Sequence, residues 1–275
     1  MNSPPRIITL TTDFGTSDAY VGVMKGVILG INPSVQIVDI THAVPPQDIH
    51  EAAFLIHSVP RYFPKGTIHT VVVDPGVGSD RRAIICQTDG AFFVCPDNGI
   101  LSYLLQGTEN EEAQSGNVVA IQNRDYFLPE VSQTFHGRDI FAPVAAHLSL
   151  GVPLADFGPS VQDLVRLPIP TPQVSKDTII GQIVKIDAFG NAVTNISEGV
   201  LNHWQNGPTS EVSVYEIRIG DVQLKRLNRA YAESDIGEPL AIIGSFGLLE
   251  IAVNGGDAAE RLGLKREDSV IVHRH

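Results

Sequence analysis

Along the first 165 positions, apolar residues come in short unbroken runs separated by stretches with helical spacing. Residues 7–11 form the first run, 35–40 the second and 68–73 the third. The third, Ile-His-Thr-Val-Val-Val, is rich enough in β-branched residues to predict a strand buried on both faces. Between the first two runs, Tyr20, Val23, Met24, Val27, Ile28 and Ile31 recur at helical intervals until Asn32-Pro33 stops them, and Asp18 is placed to cap the start. Between the second and third, a proline-containing loop over 41–47 leads to Asp48 and Glu51, a capping-box pattern that opens a helix through Ile56. Strands alternating with helices of this length predict parallel pairing with right-handed crossovers.

After Asp74 the pattern changes. Runs at 83–88 and 92–95 flank Asp89-Gly90 and predict an antiparallel hairpin, with Cys86 and Cys95 diagonal on one face as small buried apolar residues. Pro96-Asp97-Asn98-Gly99 predicts a turn before a short helix over 100–105, followed by a polar, acidic surface loop over 106–117. A helix over 140–150 comes next, started by Asp139 or a neighbour. His136 precedes its amino end, a place where the ring is expected to be exposed and biased toward its neutral form. Pro168, Pro170 and Pro172 forbid regular structure and mark a linker over 166–177. Beyond it, helical periodicity is scarce. Short apolar runs at 178–187, 192–196, 212–219, 222–227, 240–243, 249–253 and 269–273 predict an all-β barrel or sandwich. The expected architecture is therefore an α/β domain over 1–165, with a mostly parallel sheet and helices on both faces, then an all-β, barrel-like domain over 178–275.

Charge and composition narrow the partners. A net charge of -12 argues against nucleic acid, whose binding requires lysines and arginines against phosphates, and suits a cationic small substrate. Residues 1–6 carry no apolar leader and no stretch approaches a membrane span, so no membrane association and a cytoplasmic location are expected.

Ligands of open α/β sheets bind outside the carboxyl ends of the strands. Asp13, after the first strand, and Asp74, after the third, are site candidates on that ground, although Asp74 could instead only accept hydrogen bonds from the glycine turn behind it. The 75–79 segment lacks the Gly-Lys-Ser/Thr ending of a phosphate loop, and no Gly-x-Gly-x-x-Gly follows the first strand. Asp-Phe-Gly occurs at 13–15 and 156–158 without the other parts of a kinase. Asp13, Asp18, Asp74, Asp97, His136 and Asp139 could gather near one crevice, yet no His-x-His or His-Glu-x-x-His spacing accompanies them, and no metal is expected. In the second half, the glycine-rich stretches 186–195 and 244–254 carry Asp187, Asn191, Ser245 and Glu250, side chains able to hold the ammonium and carboxylate of a zwitterion.

Thr11-Thr12-Asp13-Phe14-Gly15, Val73-Asp74-Pro75-Gly76-Val77-Gly78, Phe135-His136-Gly137-Arg138-Asp139, Phe189-Gly190-Asn191 and the 245–254 segment follow one another over nearly the whole chain. In that order they resemble the S-adenosyl-L-methionine (SAM) hydrolases, also called SAM hydroxide adenosyltransferases, which are relatives of the fluorinase and chlorinase enzymes. The resemblance implies an α/β domain joined to a β barrel. It also implies homotrimers, with sites between the amino domain of one subunit and the carboxyl domain of its neighbour. The implied reaction is attack of water or hydroxide on ribose C5′ of SAM, giving adenosine and L-methionine, with SAM as substrate and no cofactor. By motif position it implies a water-handling set of Asp74, Arg81 and His136. Asp13 falls at the ribose hydroxyls, Asp187 and Asn191 near methionine, and Ser245, Glu250 and the backbone of Val253 toward methionine and adenine. The halogenase relatives carry tyrosine where Asp74 and His136 stand, and the fluorinase carries serine in place of Gly137, which makes halide chemistry the less expected alternative. A SAM- or adenosine-binding protein without turnover is the alternative from another class.

Overall fold

The computed structural model describes residues 7–88, 90–106, 117–205 and 215–274. Expectations at 1–6, at Asp89, over most of the acidic 106–117 loop and at the start of the 212–219 strand lie outside the described residues. The chain divides into two units, Met1–Pro168 and Ile169–His275, each with its own sheet.

In the first unit, strand β1 (Ile7–Thr12) leads through helix α1 (Tyr20–Ile31) to β2 (Gln36–Thr41), and helix α2 (Ile49–Ser58) returns the chain to β3 (Thr67–Val72). Both β2 and β3 pair with β1 in parallel, on its opposite sides. Chain direction across the sheet therefore reverses at β1, and the carboxyl ends of β1 and β3 flank a topological switch point. All six residues of β3 are buried. Ile68 and Val72 face one core with Met24, Ile28 and Phe141, while Val71 and Val73 face a second with Ala52, Ile56 and Phe93. The β-branched run reflects that double burial.

Strands β4 (Ala83–Gln87) and β5 (Ala91–Pro96) form the expected hairpin, and β6 (Asn117–Ala120) adds to the edge, giving the order β2-β1-β3-β5-β4-β6. It is β5, not the earlier β4, that lies parallel beside β3. In the hairpin register Cys95 opposes Ile84 and Cys86 opposes Phe93, which places the thiols diagonally on one face; both are free and buried.

Three local expectations are corrected. Asp18 does not cap α1; Ala19 occupies the cap position without a side-chain bond, and Tyr20 begins the helix packed against Phe14 and Phe135, with ring centroids 5.8 and 5.1 Å away. Residues 100–106 form consecutive turns instead of a helix. There Asn98 Oδ1 takes the Ile100 N–H and the Ser102 hydroxyl donates to the Gly99 carbonyl, so side chains claim groups that a helix would use. The expected helix over 140–150 begins earlier, with a π turn over Gly137–Phe141 continuing into α3 (Ala142–Ser149). Asp139 does not cap it. Its carboxylate is fully buried and accepts instead from the N–H and hydroxyl of Ser132 at 2.8 Å each. A short helix α4 (Leu154–Phe157) follows.

The second unit contains β7 (Gln173–Val174), β8 (Thr178–Ile186), β9 (Ala192–Ser197), α5 (Glu198–Gln205), β10 (Tyr215–Ile219), β11 (Val222–Leu224), β12 (Leu227–Asn228), β13 (Pro239–Ile243), β14 (Leu248–Val253), α6 (Ala258–Leu262) and β15 (Ser269–Arg274). Its sheet runs β11-β10-β15-β8-β9-β14-β13-β12, with β7 beside β8. All pairs are antiparallel except β12 with β13. Register shifts where β9 meets β8 and β14 curl it into a nearly closed barrel around Ile183, Ile196, Ile217, Ile251 and Val272. Two short helices depart from the all-β expectation. Leu201 and Trp204 of α5 plug the core, and Asp257 caps α6 by accepting from the Glu260 N–H at 2.7 Å.

Of the expected capping box at α2 the N-cap half forms, Asp48 Oδ1 accepting from the Glu51 N–H at 2.9 Å, while the Asp48 N–H donates to the Pro45 carbonyl. Asp48→Ala is expected to destabilise the protein by about 1 kcal/mol. Urea unfolding checks this as a lower midpoint with an unchanged slope.

Candidate active site

The site is built from the loops that leave β1 and β3 and from the segment entering α3. Asp13 follows β1, Asp74 lies two residues beyond β3, and His136 immediately precedes the π turn. The two latter segments meet because Gly78 has φ +77° and no Cβ; a methyl group there would lie 2.4 Å from the Gln133 carbonyl oxygen. The turn after Asp74 can thus pack backbone to backbone on the stretch that carries His136.

Arg81 bridges the two sides. Its Nε donates to both oxygens of Asp74 at 2.9 and 3.0 Å, and its Nη2 reaches Asp74 Oδ2 at 2.5 Å and His136 Nδ1 at 2.8 Å. A guanidinium can only donate, so His136 Nδ1 is an unprotonated acceptor and the imidazole is neutral. His136 is 9% exposed, a correction to the exposed position expected from its place in the chain. Burial lowers its pKa first and the Arg81 charge second, while Asp74, Asp139 and a backbone hydrogen bond with Ser132 pull the other way. The side chains of Asp74 and Arg81 are 5% and 11% exposed, so the ion pair is largely withdrawn from water. The Asp74 carboxylate is therefore taken by Arg81, and the glycine turn bonds only the Asp74 backbone carbonyl, through the Val77 N–H. Arg82, next in the chain, points away and pairs with Asp97 and Asp163.

Asp74 and His136 face one hollow of about 370 Å³ that Asp13 also lines. Phe14, Tyr20 and Phe135 form its aromatic wall, their ring centroids 5.1 to 5.8 Å apart. Asp13 Oδ2 accepts from the N–H of Gln47, which also lines the hollow and adopts φ +65°. That conformation is costly for a non-glycine residue and is held here by the Asp13 bond and by the Ile49 N–H on the Gln47 carbonyl. Sequence reasoning missed Gln47, whose strain leaves no mark in residue type. It also missed Phe14 and Phe135, whose adjacency to Asp13 and His136 was the available signal. A larger cavity of about 570 Å³ near β6 and α4 is lined by no titratable side chain, so size alone would choose the wrong place. Among the described residues no three His, Cys, Asp or Glu side chains converge to hold a metal ion.

The remaining candidates belong to the second unit. Asp187 and Asn191 close the β8–β9 turn on themselves: Asp187 Oδ1 accepts the N–H groups of Phe189 and Asn191, and its Oδ2 accepts the Asn191 side-chain amide at 3.0 Å. Ser245 lies in the β13–β14 turn. Glu250, on β14, is 5% exposed; burial and the nearby Asp187 push its carboxyl up, against a 2.7 Å bond from the Tyr231 hydroxyl. The Val253 carbonyl accepts from the Gly256 N–H.

Comparison with known proteins places the chain in a family. Residues 8–158 match the model of the SAM hydroxide adenosyltransferase N-terminal domain and residues 181–271 that of its C-terminal domain. An (R)-S-adenosyl-L-methionine hydrolase of Salinispora tropica is 38% identical, with 98% of each chain covered. One of Thermus thermophilus is 36% identical, covering 94% of this chain and 96% of its own. A fluorinase of Actinoplanes is 29% identical over 97% of each chain. The crystal structure of an uncharacterized conserved protein from Thermotoga maritima is similar with a TM-score of 0.87 and 39% identity, covering 97% of this chain and 100% of that one.

His136 is expected to titrate below the ordinary value of 6.5, first because the ring is buried and second because protonation would place another cation 2.8 Å from the Arg81 Nη2. Since the folded pKa is the lower one, protons favour the unfolded or opened state as pH falls below 6.5, and this contact is lost on the acid side. NMR titration checks the midpoint, and Arg81→Leu is expected to raise it.

Proposed function

The chain belongs to the SAM hydroxide adenosyltransferase family, and on that premise we propose that it hydrolyses SAM to adenosine and L-methionine. The observation that carries the reading is the Asp74–Arg81–His136 chain of hydrogen bonds at the edge of a hollow large enough for a nucleoside. In the proposed reaction a water oxygen forms a bond to ribose C5′ while the C5′–S bond breaks, its electron pair staying on sulfur. The leaving group is a neutral thioether that needs no proton and no cofactor.

Only the nucleophile needs help. Arg81 uses the lone pair of His136 Nδ1, so we assign the water proton to a free lone pair of the Asp74 carboxylate, with His136 holding the guanidinium in register. The low exposure of the ion pair favours the step, because a developing hydroxide meets a cationic sulfonium and charge is annihilated where water is scarce. Asp13 is proposed to bind the ribose hydroxyls and the aromatic wall to flank the nucleoside. Asp187, Asn191, Ser245, Glu250 and the Val253 backbone are proposed to hold methionine and adenine. A homotrimer and a cytoplasmic location complete the reading. The family resemblance supports the first and two free, buried cysteines the second.

Two observations favour hydrolysis over halide transfer. Hydrolases are among the more similar relatives and fluorinases among the more distant. At Gly137 a Cβ would press to 3.2 Å on Met24 Sδ and on a Phe135 ring carbon, leaving a serine little room.

Incubation with SAM in ¹⁸O-water is expected to yield methionine and adenosine labelled at the 5′ oxygen; unchanged SAM would mean a binding protein, and a 5′-halogenated product on adding chloride or fluoride would mean a halogenase. Asp74→Asn is expected to lower kcat by about 10²–10⁴-fold, measured as adenosine release. Light scattering during size-exclusion chromatography checks the trimer.

A further inference from the structure

The turn over 96–99 does more than end β5. The Asp97 N–H donates to the Arg82 carbonyl at 2.9 Å, and its Oδ2 accepts from Nε and Nη2 of Arg82 at 2.9 and 2.6 Å. Its Oδ1 takes the Val165 N–H at 2.9 Å. The next residue, Asn98, donates its side-chain amide to the Val73 carbonyl at 2.9 Å and accepts from the Ile100 N–H. Val73 and Arg82 are the covalent neighbours of Asp74 and Arg81 on the outer ends of the 74–81 loop. One dipeptide thus fixes the backbone just before the carboxylate and just after the guanidinium.

The turn has little freedom to drift. Gly99 has φ +96°, and a Cβ there would fall 2.6 Å from Leu167 Cγ. Leu167 is tied in turn through its N–H to the Ser102 hydroxyl. Asp97 is 5% exposed with both oxygens engaged, and the Arg82 fork also grips the Asp163 carboxylate and carbonyl. Neither Asp97 nor Asn98 lines the hollow that holds Asp13, Asp74 and His136.

We infer that Asp97 and Asn98 are positioning residues, which set the span between Asp74 and Arg81 and so hold Arg81 in reach of His136. Arg82 is their anchor and no spare for Arg81. The inference rests on the hydrolase reading for its kinetic consequence but not for its geometry. A small shift of a reacting group costs far more in rate than in binding.

The test compares the full-length wild type with Asn98→Asp, which keeps side-chain size but loses the donor to the Val73 carbonyl, and with Asp97→Asn. Four quantities are measured for each: kcat and KM with SAM, adenosine affinity by calorimetry, thermal midpoint, and the His136 titration by NMR. In the folded variants kcat is expected to fall about 10–100-fold, with KM and adenosine affinity within about threefold. The His136 midpoint should move up as the guanidinium leaves the ring. A folded variant with wild-type kcat and an unmoved His136 overturns the proposal. So does a loss of rate matched by an equal loss of adenosine affinity with His136 unmoved. If Asn98→Asp does not fold, Asp97→Asn carries the same comparison. A wild type that releases no adenosine removes the hydrolase reading alone, because the His136 titration needs no turnover and still decides the positioning.

Discussion

The structure of the site depends on a group that can only give hydrogen bonds being placed between two that must receive them. Arg81 donates to Asp74 and to His136, and with five N–H groups in a rigid plane it fixes the distance and the angle between them. A lysine could satisfy the carboxylate or the imidazole but could not define their relation. The arrangement also settles the state of the imidazole. The ring is neutral because its Nδ1 lone pair is in use.

The fold supplies the means of bringing these groups together from positions far apart in the chain. A mixed sheet, parallel around β1 and β3, reverses its winding at β1 and opens a crevice beside β3, and the π turn ahead of α3 delivers His136 to the same crevice. Between them the glycine turn permits an approach of backbones that any side chain would block. Two buried carboxylates behind the site are paired as closely. The fully buried Asp139 is matched by Ser132 and Arg138, and Asp97 by Arg82 and the Val165 N–H.

Much of this was legible in the residues. The β-branched run at 68–73 announced a doubly buried strand, the Asp48-Glu51 pair announced α2, and the loss of helical periodicity announced the second sheet, all because local spacing is what decides those features. Strand order was not legible: nothing local tells β4 to leave its place beside β3 to β5. The turns at 100–106 and the start of the helix at 137 depend on side chains that compete with the backbone for hydrogen bonds. At the site, Asp13 and Asp74 could be read from strand ends, and His136 from a motif. Arg81 rested on motif position alone, because it and Arg82 are adjacent and alike; in the structure the opposite directions of their side chains separate them. The strain at Gln47 is likewise a property of the assembled loop.

The complete burial of β3 also bears on how the molecule breathes. Both cores of the first unit close on this strand, so its amides open only when the unit as a whole comes apart, whereas the loops around it fluctuate at far smaller cost. Asp74 stands only two residues past this strand, so its backbone is anchored at one end to the part of the unit that opens last.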